Sequence, residues 1–163
     1  MAGRHGWLVV GLALAAACAP SDSEPEPKPK PTSELVGSWS QAGVDREWVE
    51  EAMPIPAQVL ATDAERESWL AERPGDAAEG DSFDALRAVD LAENFIVIGG
   101  YHRCTEYSLV TVSDDGEVAF EVHDDDERTD CAWSPYTIDA WAIPLELTGG
   151  EAPEEIGDDA ARR

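Results

Sequence analysis

The sequence predicts an α+β domain, a small antiparallel β-meander with one or two short helices packed on it. Three observations lead there. Thr62-Asp63-Ala64-Glu65 is a helix start signal, Phe95-Ile96-Val97-Ile98 is an unbroken run of strand formers, and apolar and polar residues alternate on both sides of Asp114-Asp115-Gly116.

In chain order, Leu35-Val36-Gly37-Ser38-Trp39-Ser40 is the expected opening strand, and Gln58-Val59-Leu60 a second, short one. Thr62 then stands as N-cap with Glu65 three residues later, the capping-box spacing in which each side chain satisfies an amide of the other. The helix so begun runs through Trp69 and Leu70 and stops before Pro74-Gly75, where proline cannot continue it. A second short helix is expected from Phe83 to Ala88, capped by Asp81 or Ser82. Four β-formers in a row at Phe95–Ile98 lack alternation, which points to a central strand buried on both faces.

The hairpin that follows can be argued to its register. A two-residue loop, Asp115-Gly116, would set Val112 against Ala119 and Val110 against Glu121. A three-residue loop, Asp114 to Gly116, sets Val112 against Val118 and Val110 against Phe120. Residues directly opposite share a face, so the second choice unites the apolar sets. Gly116 then takes the left-handed bulge position. A third strand, Tyr136 to Ile143, is expected to complete the meander before Pro144. The acidic tail, residues 149–163, is expected to be disordered.

The N-terminus has the layout of an export signal. Arg4 and His5 precede the apolar run Leu8 to Ala17, ten residues long, where a membrane-spanning helix takes about 20. The run ends Leu14-Ala15-Ala16-Ala17-Cys18, which resembles the lipobox of bacterial lipoproteins, with Ala15 where the usual leucine stands. The expectation is a signal peptide over residues 1–17 and a diacylglycerol on Cys18. One acyl chain binds membranes only marginally, whereas two hold firmly. Residues 18–33, rich in alternating proline, then form an extended stalk that also carries both lysines of the chain, Lys28 and Lys30. A single acidic domain follows over residues 34–148, lipid-anchored in the cell envelope on the extracytoplasmic side.

Formal net charge is −24. Such a charge repels phosphate backbones and anionic headgroups, which excludes nucleic acid as a partner and leaves membrane attachment to the lipid. The charge reads as a solvated, soluble acidic surface, with a basic partner or divalent cations as the alternative.

With Cys18 lipidated, Cys104 and Cys131 remain, and in an oxidising compartment an even remainder reads as one disulfide. A meander places them two strand spacings apart, about 9.5 Å. A bridge needs Cα atoms within about 7 Å, so the strand ends must converge or Cys131 must lie in the loop past the middle strand. His102 stands two residues from Cys104, but neighbours on one strand do not make a nucleophile, and a paired cysteine has no free thiol.

Other strings carry less. His123-Asp124-Asp125-Asp126-Glu127 offers oxygen ligands, yet no glycine follows Asp126 and Arg128 takes a ligand position, so the calcium-loop pattern fails. His102 and His123 could meet across the hairpin without anything compelling a metal. There is no phosphate-cradling glycine loop, nucleophile elbow or zinc-helix motif. No catalytic residue, metal or cofactor is therefore assigned. The aromatics are more telling: Trp39, Trp48, Trp69, Trp133 and Trp141 can fill a core or line a binding face. Trp133, Tyr136 and Trp141 are the candidate face.

From Val59 to Pro144 the order of features resembles the PrcB C-terminal domain family, named for a subunit of a spirochaete protease complex. The shared features are a helix with a central Trp (Glu67-Ser68-Trp69-Leu70), Val89-Asp90 before the buried strand, and a Gly100-Tyr101 step. A hairpin, Cys131, Pro135-Tyr136 and Ile143-Pro144 follow; Cys104 lies outside the pattern. The resemblance implies a non-enzymatic accessory or binding role in the envelope and transfers no functional residue. The expected function is an anchored binding or complex-assembly module, with an envelope protein as its partner. An envelope hydrolase or metal-dependent enzyme built from scattered carboxylates and histidines is the rival.

Overall fold

The computed structural model describes residues 33–73, 81–124 and 130–158. The expected signal peptide, the expected lipidation site Cys18, the expected stalk through Thr32, and residues 74–80, 125–129 and 159–163 lie outside the described residues. In chain order the described elements are β1 (Glu34–Ser40), α1 (Arg46–Ala52), β2 (Gln58–Leu60), α2 (Asp63–Ala71) and α3 (Asp84–Arg87). They continue with β3 (Asn94–His102), β4 (Glu106–Val112), β5 (Val118–Asp124), β6 (Tyr136–Pro144) and β7 (Gly157–Asp158).

The fold class is α+β, as the pattern predicts, but the strands do not form one meander. One sheet has the order β1-β6-β3-β2, and β4-β5-β7 form a second. β6 pairs antiparallel with β3 along its full length, from Asn94 opposite Pro144 to His102 opposite Tyr136. The hairpin of β4 and β5 leaves the sheet and lies over its face. Amphipathicity explains the difference. β3 and β6 are apolar on both faces and belong side by side at the centre, while the hairpin has one apolar face to stack.

Because side chains alternate along a strand, the central pair feeds two cores. Ile96, Ile98, Ile138 and Ala140 face the helices, where they join Trp39, Trp48, Trp69, Phe83 and Leu86. Phe95, Val97, Tyr101 and Ile143 face the hairpin, where they meet Val110, Val118 and Phe120. The helix, sheet and hairpin layers thus cover the central strands on both sides, which is why Phe95–Ile98 shows no alternation. Gly99 and Gly100 let both layers come close. A Cβ on Gly99 would lie 2.7 Å from the Phe120 ring, and one on Gly100 would lie 2.2 Å from the Tyr136 hydroxyl.

The local signals hold in detail. Thr62 caps α2 by accepting from Glu65 N–H at 3.2 Å, and Glu65 accepts in return from the amides of Ala61 and Thr62, both at 2.9 Å. Those contacts, the Ala61 amide foremost, hold the Glu65 carboxyl below its ordinary range. In the hairpin, Val112 faces Val118 and Val110 faces Phe120. Gly116 sits at φ 86°, the left-handed position only glycine takes without strain. The turn closes through Gly116 N–H to the Ser113 carbonyl at 3.0 Å and Ser113 N–H to the Glu117 carbonyl at 2.9 Å.

Helix α1 is absent from the sequence prediction. It buries Trp48 and Val49, and Arg46 reaches Glu50 one turn on at 2.8 Å. Its start is hard to read because Asp45 accepts from the Trp48 indole at 3.2 Å and makes no side-chain bond to the helix backbone. Beyond Pro144, Leu145 and Leu147 pack on the hairpin-side core, as do Ala152 and Ile156 of the expected tail, and β7 pairs parallel with Ala119 and Phe120.

Candidate functional site

Three strands meet at the end of the sheet remote from Glu34. Ser40 of β1 pairs with Thr137, and Tyr136 of β6 with His102 at the end of β3. Gln41 fastens the junction: its N–H donates to the Tyr136 carbonyl at 2.9 Å and its Oε1 accepts from Tyr136 N–H at 2.8 Å. Gln41 Nε2 also contacts the Met53 sulfur at 3.7 Å. Arg103 N–H donates to the Pro135 carbonyl at 2.8 Å, and His102 Nδ1 lies 3.0 Å from the Ser134 carbonyl. A carbonyl only accepts, so Nδ1 carries the hydrogen.

The disulfide braces the same end. Cys104, just past β3, is bonded to Cys131, with Cα atoms 6.1 Å apart. The separation of two strand spacings does not arise, because β5 never lies between β3 and β6. Cys104 thus offers no thiol, and its neighbour His102 packs edge-on against Tyr136, ring centroids 5.3 Å apart.

The three aromatics of the expected face do not form one surface. Tyr136 and Trp141 are five positions apart on one strand and point to opposite sides of it. Tyr136 is buried over Gly100, and its hydroxyl accepts from Ile55 N–H at 2.8 Å. Trp141 is half-buried on the hairpin side and donates its indole N–H to Ser108 Oγ at 3.0 Å. Trp133 alone of the three is open to solvent, 58 % exposed, beside Cys131. Met53 and Val44, on the adjoining loops, are exposed too. The remaining tryptophans are core: Trp39, Trp48 and Trp69 surround Phe83 with ring centroids 4.8 to 5.9 Å from it, and the Arg73 guanidinium lies 4.1 Å from the Trp69 ring.

One group of chemically able residues was invisible as a group in the sequence. Asp139 Oδ2 accepts from the Tyr101 hydroxyl at 2.8 Å and from Ser108 Oγ at 2.6 Å. All three residues are buried between the sheet and the hairpin, and among the described residues Oδ1 finds no donor. Burial, and then the adjacent Asp139 carboxylate, push the Tyr101 hydroxyl well above the usual tyrosine range, so it remains a donor at every physiological pH. The trio is a polar bolt between two layers. Only the alternation of β6, with Asp139 on the face of Trp141 and Ile143, hinted at it.

On the outer face of the hairpin, His123 stacks on Tyr107 at 5.6 Å and its Nε2 lies 2.9 Å from Glu121. His102 and His123 therefore serve different surfaces. Among the described residues no three His, Cys, Asp or Glu side chains converge as a metal site, and no helix is long and apolar enough to cross a membrane.

Neither protein-family models, nor curated proteins, nor solved structures match this chain. The positions that carry the family resemblance sit in the framework: Trp69 in the helix-side core, Gly100 beneath Tyr136, Ile143 in the hairpin-side core.

Proposed function

We propose that this chain is a lipid-anchored extracytoplasmic protein whose domain binds a partner protein through the disulfide-braced end of the sheet, without chemistry of its own. Trp133 carries the reading. Of the tryptophans in the described residues it is the exposed one, and exposed indoles are frequent anchors of protein interfaces. The segment that bears it is held by the Cys104–Cys131 bond, by Ser134 on His102 and by Pro135 on Arg103. A pre-fixed anchor loses little freedom on binding.

Topology adds a direction. The chain enters the domain at Glu34, and β1 carries it roughly 20 Å, at about 3.3 Å per residue, to the end where Trp133 lies. Glu34 thus lies at the end of β1 opposite the exposed indole. The disulfide belongs to an oxidising compartment. An accessory role without catalysis also agrees with what the family resemblance implies.

The test is photo-crosslinking in intact cells. A photoreactive residue at Ala132 should give a discrete protein adduct that disappears when Trp133→Ala is added, with the melting temperature unchanged. The same residue at Glu34 should give none. Equal adducts from both positions, or none from Ala132, would overturn the reading.

A further inference from the structure

We propose that the outer edge of β5, beside the hairpin turn, is a docking groove for a basic, extended segment of a partner protein, and that β7 is its displaceable occupant. β5 is paired with β4 along its whole length, from Glu106 opposite Asp124 to Val112 opposite Val118. On its other side, among the described residues, β7 pairs with Ala119 and Phe120, in parallel. Parallel pairing is the less stable kind per residue. A sheet edge offers backbone donors and acceptors in a row, the template for strand addition by another chain.

A cleft of about 510 Å³ adjoins this edge, between the hairpin turn and the returning tail. On the β5 side Val118 and Ala119 give it an apolar wall and Asp115 and Glu117 an acidic rim, while Pro153, Glu155 and Ile156 of the tail close it. The present occupant matches that rim poorly. Glu155 of the tail lines the same cleft as Asp115 and Glu117, and among the described residues no salt bridge links them. The Ser113 hydroxyl holds the Asp115 carboxyl below its ordinary value, so this charge persists at neutral pH. A segment with alternating Lys or Arg and apolar residues would exchange repulsion for attraction while supplying the strand hydrogen bonds. The groove lies at the turn end of the hairpin, remote from the Cys104–Cys131 end, so its test is independent of the Trp133 reading.

The experiment uses the mature chain with Cys18→Ser, isotopically labelled, titrated with a Lys-Val-Lys-Thr-Lys-Val peptide and its Glu-for-Lys counterpart. The lysine peptide should move the amides of Glu117 to Val122 and release those of Gly157 and Asp158; the glutamate peptide should move neither. Reversing the rim with Asp115→Lys and Glu117→Lys should weaken the lysine peptide about tenfold. Ile156→Ser, which loosens the tail's apolar hold, should strengthen it several-fold. Glu47→Lys, on α1, should change nothing. Shifts scattered over the acidic surface, or equal weakening by Glu47→Lys and the rim reversal, would mean charge attraction without a groove and would overturn the proposal. Unmoved β5 amides would do the same.

Discussion

Asp139→Ala is expected to destabilise the domain by roughly 3–5 kcal/mol, the largest loss of any polar substitution in the fold. The mutation strands two buried donors, the Tyr101 hydroxyl and Ser108 Oγ, and leaves a void between the layers. Since a domain of this size is held by about 5–15 kcal/mol in all, much of its margin goes. The damage should begin at the hairpin. Trp141 donates to Ser108, whereas Trp39 donates to the Ser82 carbonyl at 3.0 Å on the helix side. Hydrogen exchange should therefore expose the Trp141 indole proton well before that of Trp39. Asp139→Asn keeps an oxygen for both hydroxyls and should recover at least half of the loss. Urea unfolding measures all three variants; a loss under about 1 kcal/mol for Asp139→Ala would show that the bolt does not hold the layers together.

Replacing Cys104 and Cys131 together by serine should cost about 3–4 kcal/mol under the chain-entropy model. The bond closes a loop with a sequence separation of 27 that contains the whole β4–β5 hairpin. Without it, the hairpin is held to the sheet by the polar bolt and the hairpin-side core alone. The double variant should melt at a lower temperature yet keep its secondary structure when cold. In protein recovered unreduced from its compartment, neither Cys104 nor Cys131 should react with an alkylating reagent. Two alkylatable thiols would contradict both the bond and the oxidising location it belongs to.

What the sequence disclosed was local. The Thr62–Glu65 box, the Gly116 turn with its register and the doubly buried Phe95–Ile98 strand all rest on contacts between near neighbours or on a single alternation. What it hid was the choice of partner among strands. The order of elements suits a meander, but a meander would leave β6, apolar on both faces, at an edge; only the third dimension lets the amphipathic hairpin step aside. The same step brings Cys104 near Cys131 and hides Asp139, Ser108 and Tyr101 together, residues as much as 38 positions apart. Tyr136 misled for a related reason. It counted toward the candidate face as an aromatic with a polar tip, yet Gly100 leaves room for its ring and Ile55 N–H donates to its hydroxyl. Helix α1 escaped because the residue before it, Asp45, spends its carboxylate on an indole instead of on the helix backbone.

A role in the envelope requires that the chain be held at a membrane through Cys18. The decisive measurement is fractionation of expressing cells fed an alkyne fatty acid, comparing the native chain with Cys18→Ser. The native chain should pellet with membranes, carry the label, and give an intact mass that begins at Cys18 plus a diacylglycerol. Cys18→Ser should lose the label and leave the membrane fraction. Label on the Cys18→Ser chain, or an unlabelled native chain found free of membranes, would contradict it.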